Sequence, residues 1–124
     1  MRIKIGKELR LIKEIQQQLT EHLDQQFTIA ELSKQYLINT STLKEIFKAV
    51  YGQPIATYMK EFRVRQAMKL LRETNDTIAD IASQVGYQTQ GKFSSAFQSI
   101  VKMSPREYRK IQGIAPSDSF SKTL

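Results

Sequence analysis

Residues 54–73, PIATYMKEFRVRQAMKLLRE, place apolar side chains on two opposite sides of one helical stretch. At about 100° per residue, Ile55, Tyr58, Met59 and Phe62 gather in one direction, while Val64, Ala67, Met68 and Leu71 gather roughly opposite. A helix with two apolar faces needs a packing partner on each. Pro54 suits the first turn, where its missing N–H has no acceptor to serve, and Thr74, Asn75 and Asp76 supply the stop. A helix of about 20 residues spans about 30 Å, so whatever packs at its two ends is held apart at a fixed distance.

The sequence supplies a partner on each side, in the same grammar twice. Ahead of everything, Leu9, Ile12, Leu19 and Leu23 recur at helical intervals and predict an amphipathic helix over about residues 6–25, a lid on a core. Thr28 then predicts a cap with Glu31 reciprocating three residues on, and Phe27 stands where it can staple against Leu32. That helix runs to about Tyr36. After a turn over residues 37–40, Leu43, Ile46, Phe47 and Val50 mark the buried face of another helix, which Gly52 ends. Beyond the central stretch, Thr77-Ile78-Ala79-Asp80 echoes Thr28-Ile29-Ala30-Glu31, and Phe93, Ala96, Phe97 and Ile100 repeat the later face. The offset is 49 positions from Thr28 to Thr77 and 50 from Leu43 to Phe93, so the second turn holds one extra residue. Ser104, Pro105 and Glu107 start a final short helix.

The expected fold is therefore all-α, with about seven helices arranged as two helix-turn-helix subdomains joined by a long central linker helix. The expected divisions are a leading helix and N-terminal segment over residues 1–26, a first helix-turn-helix over 27–53 and the linker over 54–76. A second helix-turn-helix with a closing helix covers 77–112. Residues 113–124 are Ser-rich and aperiodic and are expected to fray. Each copy alone would bury only a marginal core, which the two-sided helix completes.

Composition removes several functions. A hydrophobic share of 40% with 25% charged residues is ordinary for a globular chain and removes disorder. There is no uncharged apolar run of about 18 residues to span a bilayer, and no apolar segment follows the basic start to make a signal peptide. Zero cysteines exclude disulfides and thiolate metal sites and fit a reducing cytoplasm. The single histidine, His22, sits on an amphipathic pattern and reads as a surface or boundary residue. No catalytic residue, metal site or cofactor is expected. Nineteen Lys and Arg against twelve Asp and Glu give +7, which favours a polyanion, nucleic acid ahead of a membrane surface.

If the second helix of each copy reads a groove, a spacer of about 30 Å approaches the ~34 Å between successive major-groove turns on one side of a duplex. One monomer would then read two adjacent grooves of double-stranded DNA. With Leu43, Ile46, Phe47 and Val50 inward, the first reader presents Ser41, Lys44, Glu45 and Lys48. With Phe93 and Phe97 inward, the second presents Gly91, Ser94, Ser95 and Gln98, flanked by Gln90 and Lys92. Lys donates to guanine, Gln pairs with adenine, Glu accepts from cytosine and Ser serves either way. Arg106, Arg109 and Lys110 are phosphate-contact candidates, and Arg63, inside the linker helix, is expected in a structural ion pair. Gly91 leaves the backbone of its helix bare on the side expected to meet DNA.

The run IADIASQVGYQTQGKFSSAFQSIVKMSPREYRK over residues 78–110, with LKEIFKAVYGQPIATYMKEFRVRQAMKLL over 43–71, resembles the DNA-binding domain of AraC/XylS family bacterial transcription regulators. The resemblance covers about residues 28–110, and the wording of the first reader is similar to siderophore-responsive members. It implies two helix-turn-helix units, promoter DNA as partner, contact with RNA polymerase and transcription regulation. Many members have Gly in the first turn where this chain has Leu37, so that turn is expected to avoid a left-handed residue. Ser95 and Gln98 stand where Arg and Lys are common, leaving Lys92 as the second reader's only cation. The family's effector or dimerisation domain has no counterpart here. The chain is therefore expected either to be a piece of a longer regulator or to act as a bare, monomeric DNA-binding domain. The alternative to DNA binding is a helical protein-interaction module with a basic surface. A small enzyme is disfavoured, because no paired carboxylates, metal ligands or activated nucleophile are visible.

Overall fold

Short-range caps decide where the helices begin. In the computed structural model, which describes residues 5–112, there are seven α-helices and no strand among the described residues. The expected fraying segment at 113–124 lies outside them. The chain divides into two compact units between Lys60 and Glu61, inside the fourth helix.

The first unit holds α1 (Ile5–Glu21), α2 (Ile29–Tyr36), α3 (Thr40–Tyr51) and the start of α4 (Ile55–Glu73). The expected capping box opens α2: the Glu31 N–H donates to the Thr28 hydroxyl at 3.0 Å, and the Thr28 N–H donates to the Glu31 carboxylate at 2.9 Å. Asn39 caps α3, its side-chain oxygen accepting from the Ser41 N–H at 2.8 Å. The core joins Ile12, Ile15 and Leu19 of α1 to Leu32, Ile38, Leu43, Phe47 and Met59. α1 stops at Glu21, short of the expected end near residue 25. The Gln25 N–H bonds the His22 carbonyl at 3.0 Å in a tight turn, and Leu23 and Phe27 pack on the core from beyond the helix. Val50, expected inside, is 36% exposed. The last turn of α3 carries Tyr51 inward in its place, its ring 4.7 Å from that of Phe47.

The second unit holds the rest of α4, α5 (Ile78–Gln84), α6 (Gln90–Val101) and α7 (Pro105–Gln112). Thr77 and Thr89 cap α5 and α6 through the Asp80 and Lys92 N–H groups, at 3.0 and 3.1 Å. Ser104 and Glu107 form the box that opens α7. Its core is Val64, Ala67, Leu71, Ile81, Ala82, Val85, Phe93, Ala96, Phe97 and Tyr108. Of the two directions read on α4, Ile55, Tyr58 and Met59 pack in the first core and Val64, Ala67, Met68 and Leu71 in the second, whereas Phe62, expected with the first group, is half-buried in the second unit.

The two turns are built by the same bonds. The Ile38 N–H reaches the Ser33 carbonyl at 3.0 Å, and the Tyr87 N–H reaches the Ala82 carbonyl at 2.9 Å, the six-residue closure that ends a helix with a left-handed residue. In the second turn that residue is Gly86, at φ 98°. In the first it is Leu37, at φ 53° and ψ 48°, so the turn is left-handed after all. The closing bonds and the burial of Ile38 fix this geometry whatever side chain precedes it. The reverse exchange occurs after the readers, where Gly52 ends α3 at φ 82° and Lys102 ends α6 at φ 70°.

Left-handed backbone costs a residue with a Cβ about 1–2 kcal/mol, and glycine returns about 0.4–1 kcal/mol of that as unfolded-state entropy. Leu37 is 90% exposed, so removing its side chain forfeits no packing. Leu37→Gly is therefore expected to stabilise the chain by about 0.5–1 kcal/mol in urea titrations. Lys102→Gly should do the same by less, since it also loses the bond from the Lys102 ammonium to the Ser99 carbonyl. A destabilised Leu37→Gly protein would contradict the account of the turn.

Candidate nucleic-acid interface

Helical phase is anchored in each reader by aromatic side chains that leave no surface to solvent. Phe47 with Leu43 fixes α3, and Phe93 with Phe97 fixes α6. The opposite side of α3 then carries Ser41, Lys44, Glu45 and Lys48, all four exposed. On α6, Gln90, Gly91, Lys92, Ser95 and Gln98 are exposed, whereas Ser94 is half-buried. Ser94 follows Phe93 directly and lies three residues before Phe97, which puts it at the edge of the outward face. Each set is brought together on one helix of its own unit.

Lys44 and Lys48 border a groove of about 350 Å³ whose other walls are Ile29, Pro54, Ile55 and Ala56. Their aliphatic stems therefore run beside apolar surface while the ammonium groups reach water. Among the described residues, no side-chain hydrogen bond or ion pair holds Lys44, Glu45, Lys48, Lys92 or Gln98.

The closing helix divides the three phosphate candidates. Arg106 and Lys110 are exposed. Arg109 is a correction: it is half-buried, and its guanidinium donates to the carbonyls of Leu71 at 3.2 Å, Thr74 at 2.9 Å and Asp76 at 2.7 Å. Leu71 lies in the last turn of α4, and Thr74 and Asp76 in the segment that follows it, so Arg109 fastens α7 to that end of α4 and spends its donors within the fold. Arg63, for which an ion pair is expected, donates to the Val85 carbonyl at 2.6 Å, on the turn before the second reader. Burial lowers its pKa from the usual guanidinium value, and nearby Tyr87 opposes that shift. The Tyr87 phenol is itself pushed up by burial and pulled back by Arg63.

Three residues shape this surface without having been singled out from the sequence. Asn39 sets the first residue of α3; its signal is an Asx residue three positions after a helix end. Exposed Ser99 and Lys102 extend the polar side of α6 past Gln98, and the left-handed Lys102 that allows this carries no residue-type signal. Among the described residues, no group of three or more His, Asp or Glu side chains is placed to hold a metal ion. No described helix is long and apolar enough to cross a membrane.

Gly91 is the second residue of α6, and a methyl group added there meets nothing within 4 Å. Gly91→Ala is expected to stabilise by up to about 1 kcal/mol, the helix-propensity difference. If the bare backbone serves close approach to a groove, the same change weakens specific DNA binding. Thermal melts and binding titrations on one pair of proteins check both signs. Greater stability with unchanged affinity would remove the close-approach role.

Two capped helix-turn-helix units in one all-helical chain, each exposing a polar reader face, define the class. The helix-turn-helix domain family matches residues 32–111. The chain belongs to the AraC/XylS-type helix-turn-helix family of transcription-regulator DNA-binding domains. It is 34% identical over 91 residues to the HTH-type transcriptional activator RhaR of Mannheimia succiniciproducens, covering 73% of this chain and 33% of that one. Identity to the melibiose operon regulatory protein of Escherichia coli is 31% over 93 residues, covering 75% and 31%. The chain thus spans about a third of the length of these curated relatives. The C-terminal domain of AraT, a response regulator from Geobacillus stearothermophilus, superposes with a TM-score of 0.80 at 27% identity, covering 86% of this chain and 89% of that one. The DNA-binding domain of AdpA, solved with a target DNA, shares the fold with a TM-score of 0.76 at 23% identity, covering 80% and 89%.

Proposed function

We propose that this chain is a sequence-specific double-stranded DNA-binding part of a transcription regulator, with α3 and α6 each entering a major groove. The observation that carries this is the pair of readers: each has a capped start, buried aromatic anchors and an outward polar face of groove-reading residue types. The names of RhaR and the melibiose regulator, one an activator and one an operon regulator, support the same reading. A connecting helix of 19 residues, about 28 Å long at 1.5 Å per residue, supports successive grooves as the target. Promoter DNA is the partner, RNA polymerase a second one, and the cytoplasm the location. This stretch acts as a monomer on DNA, and effector sensing is placed outside these helices.

The test is a duplex selected by the chain from a random library, then footprinted. Two protected segments about one helical turn apart are expected. Inserting half a turn between them should weaken binding by at least about tenfold, or 1.4 kcal/mol. Unchanged affinity would overturn the two-groove reading. Binding without any sequence preference or salt dependence would favour the protein-interaction module instead.

A further inference from the structure

The two outward faces are chemically unlike. α3 offers two cations and one carboxylate in Lys44, Lys48 and Glu45, whereas α6 offers two amides and a hydroxyl in Gln90, Gln98 and Ser95, with cations only at its two ends, Lys92 in the first turn and Lys102 just past the last. An ammonium group donates only, and in the major groove guanine alone presents two acceptors, N7 and O6, without a donor between them. A carboxylate accepts only, and the cytosine N4 amino group is its match. Lys44 and Glu45 are consecutive, so one offers donors and the next offers acceptors at neighbouring points along a G·C-containing stretch. The Lys44 stem borders the apolar groove formed with Ile29, Pro54, Ile55 and Ala56.

On α6, the outward stripe of Gly91, Ser95 and Gln98 rises from no side chain through a short one to a long amide. The amides at 90 and 98 are the long neutral side chains of this helix. A primary amide presents one donor and one acceptor side by side, the complement of adenine N6 and N7.

Resting on the DNA-binding reading above, we infer that the operator is composite: a G·C-containing half-site read by Lys44 and Glu45, and an adenine-containing half-site read by Gln90 and Gln98.

The test repeats the library selection with the full chain, Lys44→Ala, Glu45→Ala, Gln90→Ala with Gln98→Ala, and Lys110→Ala. All these positions are exposed, and thermal melts confirm that each protein is folded. Wild type should enrich guanine and cytosine in one segment and adenine in the other. Lys44→Ala and Glu45→Ala should reduce discrimination about tenfold within the first segment alone, and the glutamine pair should do so within the second alone. Lys110→Ala should weaken every duplex alike and lower the salt slope by about one. Enrichment of one composition in both segments, or preferences unmoved by the reader variants, overturns the composite operator while leaving DNA binding intact. Failure of wild type to enrich any duplex removes the DNA-binding reading itself.

Discussion

Truncating Phe47 to alanine is expected to destabilise the first unit by about 3–5 kcal/mol, the range for a fully buried phenylalanine. Its ring has no exposed surface and stands among Ile12, Ile15, Leu19, Leu32, Leu43 and Met59, which come from four helices. It also meets the Tyr58 ring edge-on, with centroids 5.3 Å apart and planes at 81°, a contact worth about 0.5–1.5 kcal/mol beyond area burial. A unit of this size has only about 3–9 kcal/mol to lose at 0.05–0.15 kcal/mol per residue, so the first reader should be largely unfolded near physiological temperature. Circular dichroism melts and DNA titration on the same sample check the expectation together. Phe97→Ala is the matched change in the second core, being equally buried. A Phe47→Ala protein within about 1 kcal/mol of wild type would mean that this core is looser than its packing indicates.

What was legible in the sequence depended on how far apart the interacting groups lie along the chain. The Thr28–Glu31 and Ser104–Glu107 boxes act over three residues, so residue type at fixed spacing announced them, and both form. The two-sided α4 was visible because burial imposes the helical period on apolar residues. The outward faces of α3 and α6 followed from that period once Phe47, Phe93 and Phe97 set the phase. Failures came where a distant or geometric requirement overrode residue type. Leu37 takes a left-handed conformation because the bond from Ile38 to Ser33 closes the turn. Val50 stays outside because Tyr51 fills the end of the core. The end of α1 at Glu21 follows from the turn after His22, which helical periodicity alone does not register. Ser94 sits where the phase argument divides inward from outward, and the neighbouring phenylalanines hold it halfway.

Arg109 is the largest of these failures, and its replacement gives the second large effect. On the sequence it is one cation in a basic patch with Arg106 and Lys110, indistinguishable from them as a phosphate arm. In the fold its three acceptors are 33 to 38 residues away, at the carbonyls of Asp76, Thr74 and Leu71. The Leu71 carbonyl belongs to the last turn of α4, where helix carbonyls lack partners, the other two to the segment after it, and a planar fork of N–H donors suits several carbonyls at once. Arg109→Ala removes all three bonds and strands partly buried acceptors, for an expected loss of about 2–3 kcal/mol. Arg109→Lys keeps the charge but not the fork, so it should recover less than half. DNA affinity per folded molecule should be unchanged in both, with the same dependence on salt. The phosphate reading predicts the reverse: stability within about 0.5 kcal/mol of wild type and a salt slope lower by about one. Urea titrations and binding at two salt concentrations, applied to Arg109→Ala beside Lys110→Ala, separate a residue that fastens α7 from an exposed cation on the same helix.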